Sequence, residues 1–144
     1  MSDRIFSVEE ADALVGPLSE IVAAQLLLRS EIEHGLAELT RVSGEAPRYL
    51  NDGATDTPEA LRLKQKIREQ VKRYDAGWRA VEGMGAAVKD PSIGLVDFLG
   101  QVDGKLVWLC WKYGEESVSH FHALDAGYSG RRPLNDEIRA RLLN

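Results

Sequence analysis

Cysteine is almost missing from this chain: Cys110 stands alone among 144 residues. One thiol cannot close an intrachain disulfide, so the fold is no disulfide scaffold and suits a reducing compartment. Long apolar runs are missing too. The longest, Ile21–Leu28, is interrupted by Gln25 and falls far short of the roughly 20 residues a spanning helix needs. Basic surplus is also lacking. The 18 Lys and Arg stand against 23 Asp and Glu, a formal charge of -5, which opposes non-specific nucleic-acid binding. No Gly-Lys-Ser/Thr follows the chain's Gly-x-x-Gly loop, which excludes a P-loop. Acidic residues near the start occupy the place of a secretion signal's basic and apolar regions. These absences point to a cytoplasmic protein with no membrane partner and argue against a nucleic-acid partner.

What is present divides the chain in two. Ser7-Val8-Glu9-Glu10 has the form of a capping box, with Phe6 as a hydrophobic staple. Apolar or small residues then recur at Ala11, Leu14, Leu18, Ile21, Leu28, Ile32, Gly35 and Leu39. Steps of three and four make one helical face, with Gln25 as its polar exception. A helix from about Val8 to about Thr40 would run roughly 50 Å. Pro17 should kink it or split off a first short helix. Arg41–Thr57, with Gly44, Pro47 and Asn51-Asp52-Gly53, reads as a loop with a mobile tip. Thr57-Pro58 restarts the helix, and its stripe is Ala60, Leu63, Ile67, Val71, Tyr74, Trp78 and Val81. Gly83 and Gly85 end it. The first helix is acidic and the second basic, so the two are expected to pair as an antiparallel hairpin. His34 is expected to be exposed.

After Asp90-Pro91 the pattern alternates. Asp103-Gly104 predicts a two-residue hairpin turn, and Gly114 predicts a second. Strands are expected at about Leu95–Val102, Lys105–Tyr113 and Glu116–His122, with a short one at Ala86–Lys89. The first turn sets Leu99 opposite Trp108, Phe98 opposite Leu109 and Val96 opposite Trp111. The second sets Trp108 opposite Phe121 and Leu109 opposite His120. Val96, Phe98, Leu109 and Trp111 then share a helix-facing side with His120 and His122. Cys110 falls on the other side, away from both histidines, beside a Leu99–Trp108–Phe121 cluster that is too apolar to stay bare. Asn135 caps a short terminal helix, with Leu134 stapled to Ile138.

Three arrangements could carry chemistry. His120, His122 and Glu116 share parity on one strand and could begin a site for zinc, iron or manganese; the plainer alternative is two histidines hydrogen-bonded at the rim of a buried face. Cys110 reads as a buried structural thiol. His122, Asp125, Arg131 and Arg132 gather at the exit of the last strand, around Gly127 and Gly130. They form either a phosphate- or carboxylate-binding loop or a lock in which an arginine pairs with Asp97, Asp125 or a carbonyl.

Several motifs carry a family resemblance: Phe6-Ser7-Val8-Glu9-Glu10-Ala11, Val88-Lys89-Asp90-Pro91, Gly94-Leu95-Val96-Asp97-Phe98, Leu109-Cys110-Trp111, Gly114-Glu115, Phe121-His122, Asp125, Gly127-Tyr128 and Gly130-Arg131. They resemble a bacterial family known as domain of unknown function 2203. The resemblance spans nearly the whole chain and is densest from Val88 to Arg131. The family often has Trp-His where this chain has Phe121-His122, which marks His122 over His120. It implies no activity, substrate or cofactor.

The expected fold is α+β, one domain over residues 1–144. A helical hairpin (7–85), coiled-coil-like in its stripes, packs on a three- to four-stranded antiparallel meander with a short terminal helix (86–144). The expected function is a non-enzymatic binding or assembly module acting as a homodimer, with the sheet and the exit loop as its surface. The alternatives are a metal- or anion-dependent enzyme using His122 and Arg131, and RNA binding through the basic second helix.

Overall fold

The computed structural model describes residues 4–142. The capping box forms as expected: Ser7 Oγ accepts from the Glu10 amide, and Glu10 reaches back to the Ser7 amide. It opens a short helix, α1 (Val8–Asp12), and the long helix α2 (Val15–Ser43) follows. The break therefore falls before Pro17, which sits in the first turn of α2. A proline lacks the N–H that would bond the carbonyl four residues back, and its ring crowds that carbonyl, here Ala13. The chain breaks at that carbonyl, and the proline is harmless in the first turn, where an amide has no helical partner.

Gly44 ends α2 in the left-handed region at φ 84°. Helix α3 (Pro58–Gly83) starts with Thr57 capping the Ala60 amide and Pro58 at the first position. α2 and α3 form the expected hairpin. Their opposite charge is scarcely used within it: Arg41–Glu59, at 4.0 Å, is the one ion pair between them among the described residues. Two basic residues of α3 hold the loop instead. Lys64 Nζ lies 2.8 Å from Asp56 and 3.1 Å from the Asn51 carbonyl. Arg68 Nη1 reaches the Leu50 carbonyl at 2.6 Å and Asp52 at 3.0 Å.

Five antiparallel strands follow in sequence order: β1 (Ala87–Asp90), β2 (Leu95–Val102), β3 (Lys105–Lys112), β4 (His120–Ala123) and β5 (Arg132–Pro133). The fifth was not expected. It is a two-residue edge strand, where proline's missing donor costs nothing. The β1–β2 turn needs Gly94 at φ 68°, where a side chain would also strike Val22 and Tyr113. Asp103 (φ 51°) and Gly104 (φ 79°) make the expected tight turn, and the β2–β3 register is the expected one.

The next register differs. Trp108 pairs with His122, Leu109 with Phe121 and Cys110 with His120. Residues 113–119 form a longer connection in place of a two-residue turn. Glu115 shapes it: its carboxylate accepts from the Lys112 amide at 2.7 Å, and its carbonyl accepts from Trp111 Nε1 at 2.9 Å. One residue of slip moves every side chain of the strand to the opposite face. Phe121 therefore joins the helix-facing core with Phe98, Leu109 and Trp111, and both histidines move to the side of Cys110. The expected Leu99–Trp108–Phe121 cluster does not exist.

Two apolar cores result. The larger joins the sheet to α1, to the near ends of α2 and α3, and to the terminal helix α4 (Asp136–Arg141). Asn135 caps α4 as expected. The smaller core is Leu39, Ala60 and Ile67 at the far end of the hairpin. Gln25, the polar exception of α2, is buried and donates to the Tyr74 carbonyl of α3 at 2.5 Å. No helix among the described residues is long and apolar enough to cross a membrane.

Candidate functional site

The face of the sheet turned away from the core carries the chain's chemistry. Asp97 on β2 sits opposite Cys110 on β3, and the slipped register of β4 brings His122 beside them. All three are buried, with Asp97 at 0% and His122 at 2% exposure. One ligand atom from each lies within 4.8 Å of the others, the one such group of three among the described residues.

Both ring nitrogens of His122 face oxygens. Nδ1 is 3.0 Å from the Ala123 carbonyl, and Nε2 is 2.8 Å from Asp97 Oδ2. A carbonyl only accepts, so Nδ1–H donates to it. The remaining proton lies between Nε2 and the carboxylate. Burial pushes the Asp97 carboxyl above its ordinary range; the neighbouring Cys110 thiol and His122 oppose that shift without cancelling it. The thiol bears on the carboxylate as a weak donor, and Asp97 Oδ1 is buried with no partner in hydrogen-bond geometry. Burial, and then the Asp97 charge, push the Cys110 thiol up to about 12. A free thiolate is therefore disfavoured at this position.

A second group closes over this one. Arg131 Nη2 meets both carboxylate oxygens of Glu115, at 2.7 and 2.9 Å, and lies 3.5 Å from the Cys110 carbonyl. Its guanidinium sits 4.9 Å from the Tyr128 ring. His120, opposite Cys110, is half-buried; its Nδ1 is 3.0 Å from Ser119 Oγ and 3.7 Å from Glu115. On the other flank a bulge in β1 leaves Lys89 out of the pairing, and its ammonium lies 3.8 Å from the centre of the Trp108 ring. The apolar part of this face is thus partly covered by its own chain.

The residues singled out from sequence are redistributed. His122 turns to Asp97, and Arg131 is held by Glu115. Arg132 lies over Phe121 at 5.3 Å, and Asp125 is exposed. Glu116 is exposed and stands outside the three-residue group, as does His120. Asp97 and Glu115 are the site residues that local sequence signals do not single out. Asp97 nonetheless stands as a lone acid in an apolar strand run, and that pattern by itself signals a buried partner.

A groove lies elsewhere, on the hairpin. It measures about 510 Å³ and is lined on α2 by Glu31, His34, Gly35 and Glu38, and on α3 by Lys66, Ile67 and Gln70 among others. His34 is exposed, as expected. Gln70 is buried, and its Oε1 has no partner. Gly35 leaves room for Ile67, which a side chain there would press at 3.1 Å.

The model of a family described as uncharacterized conserved protein (DUF2203) matches residues 4–134. No curated protein and no solved structure matches the chain.

Proposed function

The chain belongs to the DUF2203 family, and from that premise, which carries no activity, we propose a non-enzymatic assembly module that pairs with a second copy of itself through the helical hairpin. One observation carries this reading: the charge opposition between α2 and α3 is almost unspent within one chain. Helix α2 has four glutamates against two arginines, and α3 has seven basic residues against four acidic ones. A single ion pair joins them among the described residues. A second hairpin laid antiparallel on the groove sets Lys66 of each copy against Glu31 of the other. Gln70, whose buried Oε1 has no partner, lines the same groove. Four helices then share one bundle. The non-enzymatic reading rests on the sheet face, where the thiol, imidazole and carboxylate are turned on one another and shut from solvent.

Sedimentation velocity tests the pairing. The wild type should sediment as a dimer at micromolar concentration. Lys66→Glu and Glu31→Lys should each give monomers of unchanged helicity, and mixing the two should restore heterodimers. A wild-type monomer, or a dimer indifferent to both reversals, would overturn the proposal.

A further inference from the structure

We propose that Asp97, Cys110 and His122 form a binding site for one divalent transition-metal ion, zinc by preference. The three bring one oxygen, one sulfur and one nitrogen together from three adjacent strands, all within 4.8 Å. Zinc takes these donor types at about 2.0–2.3 Å, so a tetrahedral shell spaces its ligand atoms by about 3.5 Å. The present separations bracket that value. His122 Nε2 and Asp97 Oδ2, at 2.8 Å, must part by about 0.7 Å, while the widest spacing in the set, within 4.8 Å, must close.

The second observation is Asp97 Oδ1. It is fully buried, belongs to this cluster and has no hydrogen-bond partner. A buried carboxylate oxygen left bare is costly, and a cation satisfies it. His122 is already set as a ligand in the usual way: Nδ1–H donates to the Ala123 carbonyl, which aims Nε2 at the site. Charge also balances. A carboxylate, a thiolate and a neutral imidazole around a dication give a neutral buried unit. The nearby cations are already engaged, Arg131 with Glu115 and Lys89 with the Trp108 ring. Three protein residues leave a fourth position, which in this enclosed cluster the second Asp97 oxygen, Oδ1, can take. Binding expels the thiol proton and the proton shared by His122 and Asp97, so affinity should rise with pH.

This site differs from the His120, His122 and Glu116 set read from the strand's parity, and the two can be told apart. Since the cluster is enclosed, the intact protein is unfolded and refolded with cobalt(II), then dialysed. The expected result is one cobalt per chain with a thiolate-to-cobalt charge-transfer band in the near ultraviolet. Cys110→Ala should abolish the band, Asp97→Asn should weaken retention at least tenfold, and His120→Ala should change neither. Because Cys110→Ala changes little volume, circular dichroism should confirm that it still folds. Failure to retain stoichiometric cobalt overturns the site. So does a band that survives Cys110→Ala, or retention lost in His120→Ala but kept in Asp97→Asn.

Discussion

Asp97 is the residue on which the outer sheet face turns. It is a carboxylate with no exposure, one oxygen on His122 and the other bare. Removing the partner of a buried polar group leaves that group unsatisfied and costs about 1–3 kcal/mol. His122→Ala should lose stability of that order in urea denaturation. The pH dependence has a definite sign. Burial raises the Asp97 carboxyl above the ordinary 3.8, so the folded state favours its protonated form. The stability this contributes is full below pH 3.8 and is lost as pH rises through the raised value. Measured against Asp97→Asn, the wild type should be relatively most stable at the acid end and decline upward. A difference that grows with pH instead would mean that the His122 pairing outweighs burial.

At the scale of elements, legibility followed where the determinant sat. The capping box, the Thr57-Pro58 start and the Asp103-Gly104 turn are local signals, and each forms as its residues dictate. The 113–119 connection is set by Glu115, through bonds to Lys112, Trp111 and Arg131. Two of those are close in sequence, but Arg131 is sixteen residues away, so the glycine alone misleads the register by one. That single step moves both histidines across the sheet. The helices show the same division. Their apolar stripes are legible, whereas the fit of Gln25 against Gly77 is not. A methyl group on Gly77 would fall on the Gln25 amide. Alanine is the better helix former by about 1 kcal/mol, yet Gly77→Ala should lower stability by about 1–3 kcal/mol, because it displaces Gln25 and strands a buried amide. A raised melting temperature for Gly77→Ala would show that the amide can move aside freely.

The whole molecule is unevenly anchored. The large core ties the sheet to both ends of the described chain, while the far hairpin is held by Leu39, Ala60 and Ile67 with a partly buried surround. Fewer buried contacts mean a smaller local opening free energy. Amides around Leu39 and Ile67 should therefore exchange with solvent at least about tenfold faster than those of β2 and β3, and the gap should narrow as protein concentration rises if hairpins pair. Equal protection at every concentration would show one cooperative unit. The sheet end has a further property. Phe6 bonds the Leu99 carbonyl at 2.7 Å, and Leu142 bridges to Val102. Both attachments are to the same strand, three residues or about 10 Å apart. Between Phe6 and Leu142 the described chain therefore nearly closes a ring: a short tether from one attachment to the other would complete the circuit, and the chain could instead be opened in the loop 44–57 at the opposite pole. In such a permuted chain α3 would come first and α2 last, and the strand now in the middle of the sequence would remain the seam on which the circle closes.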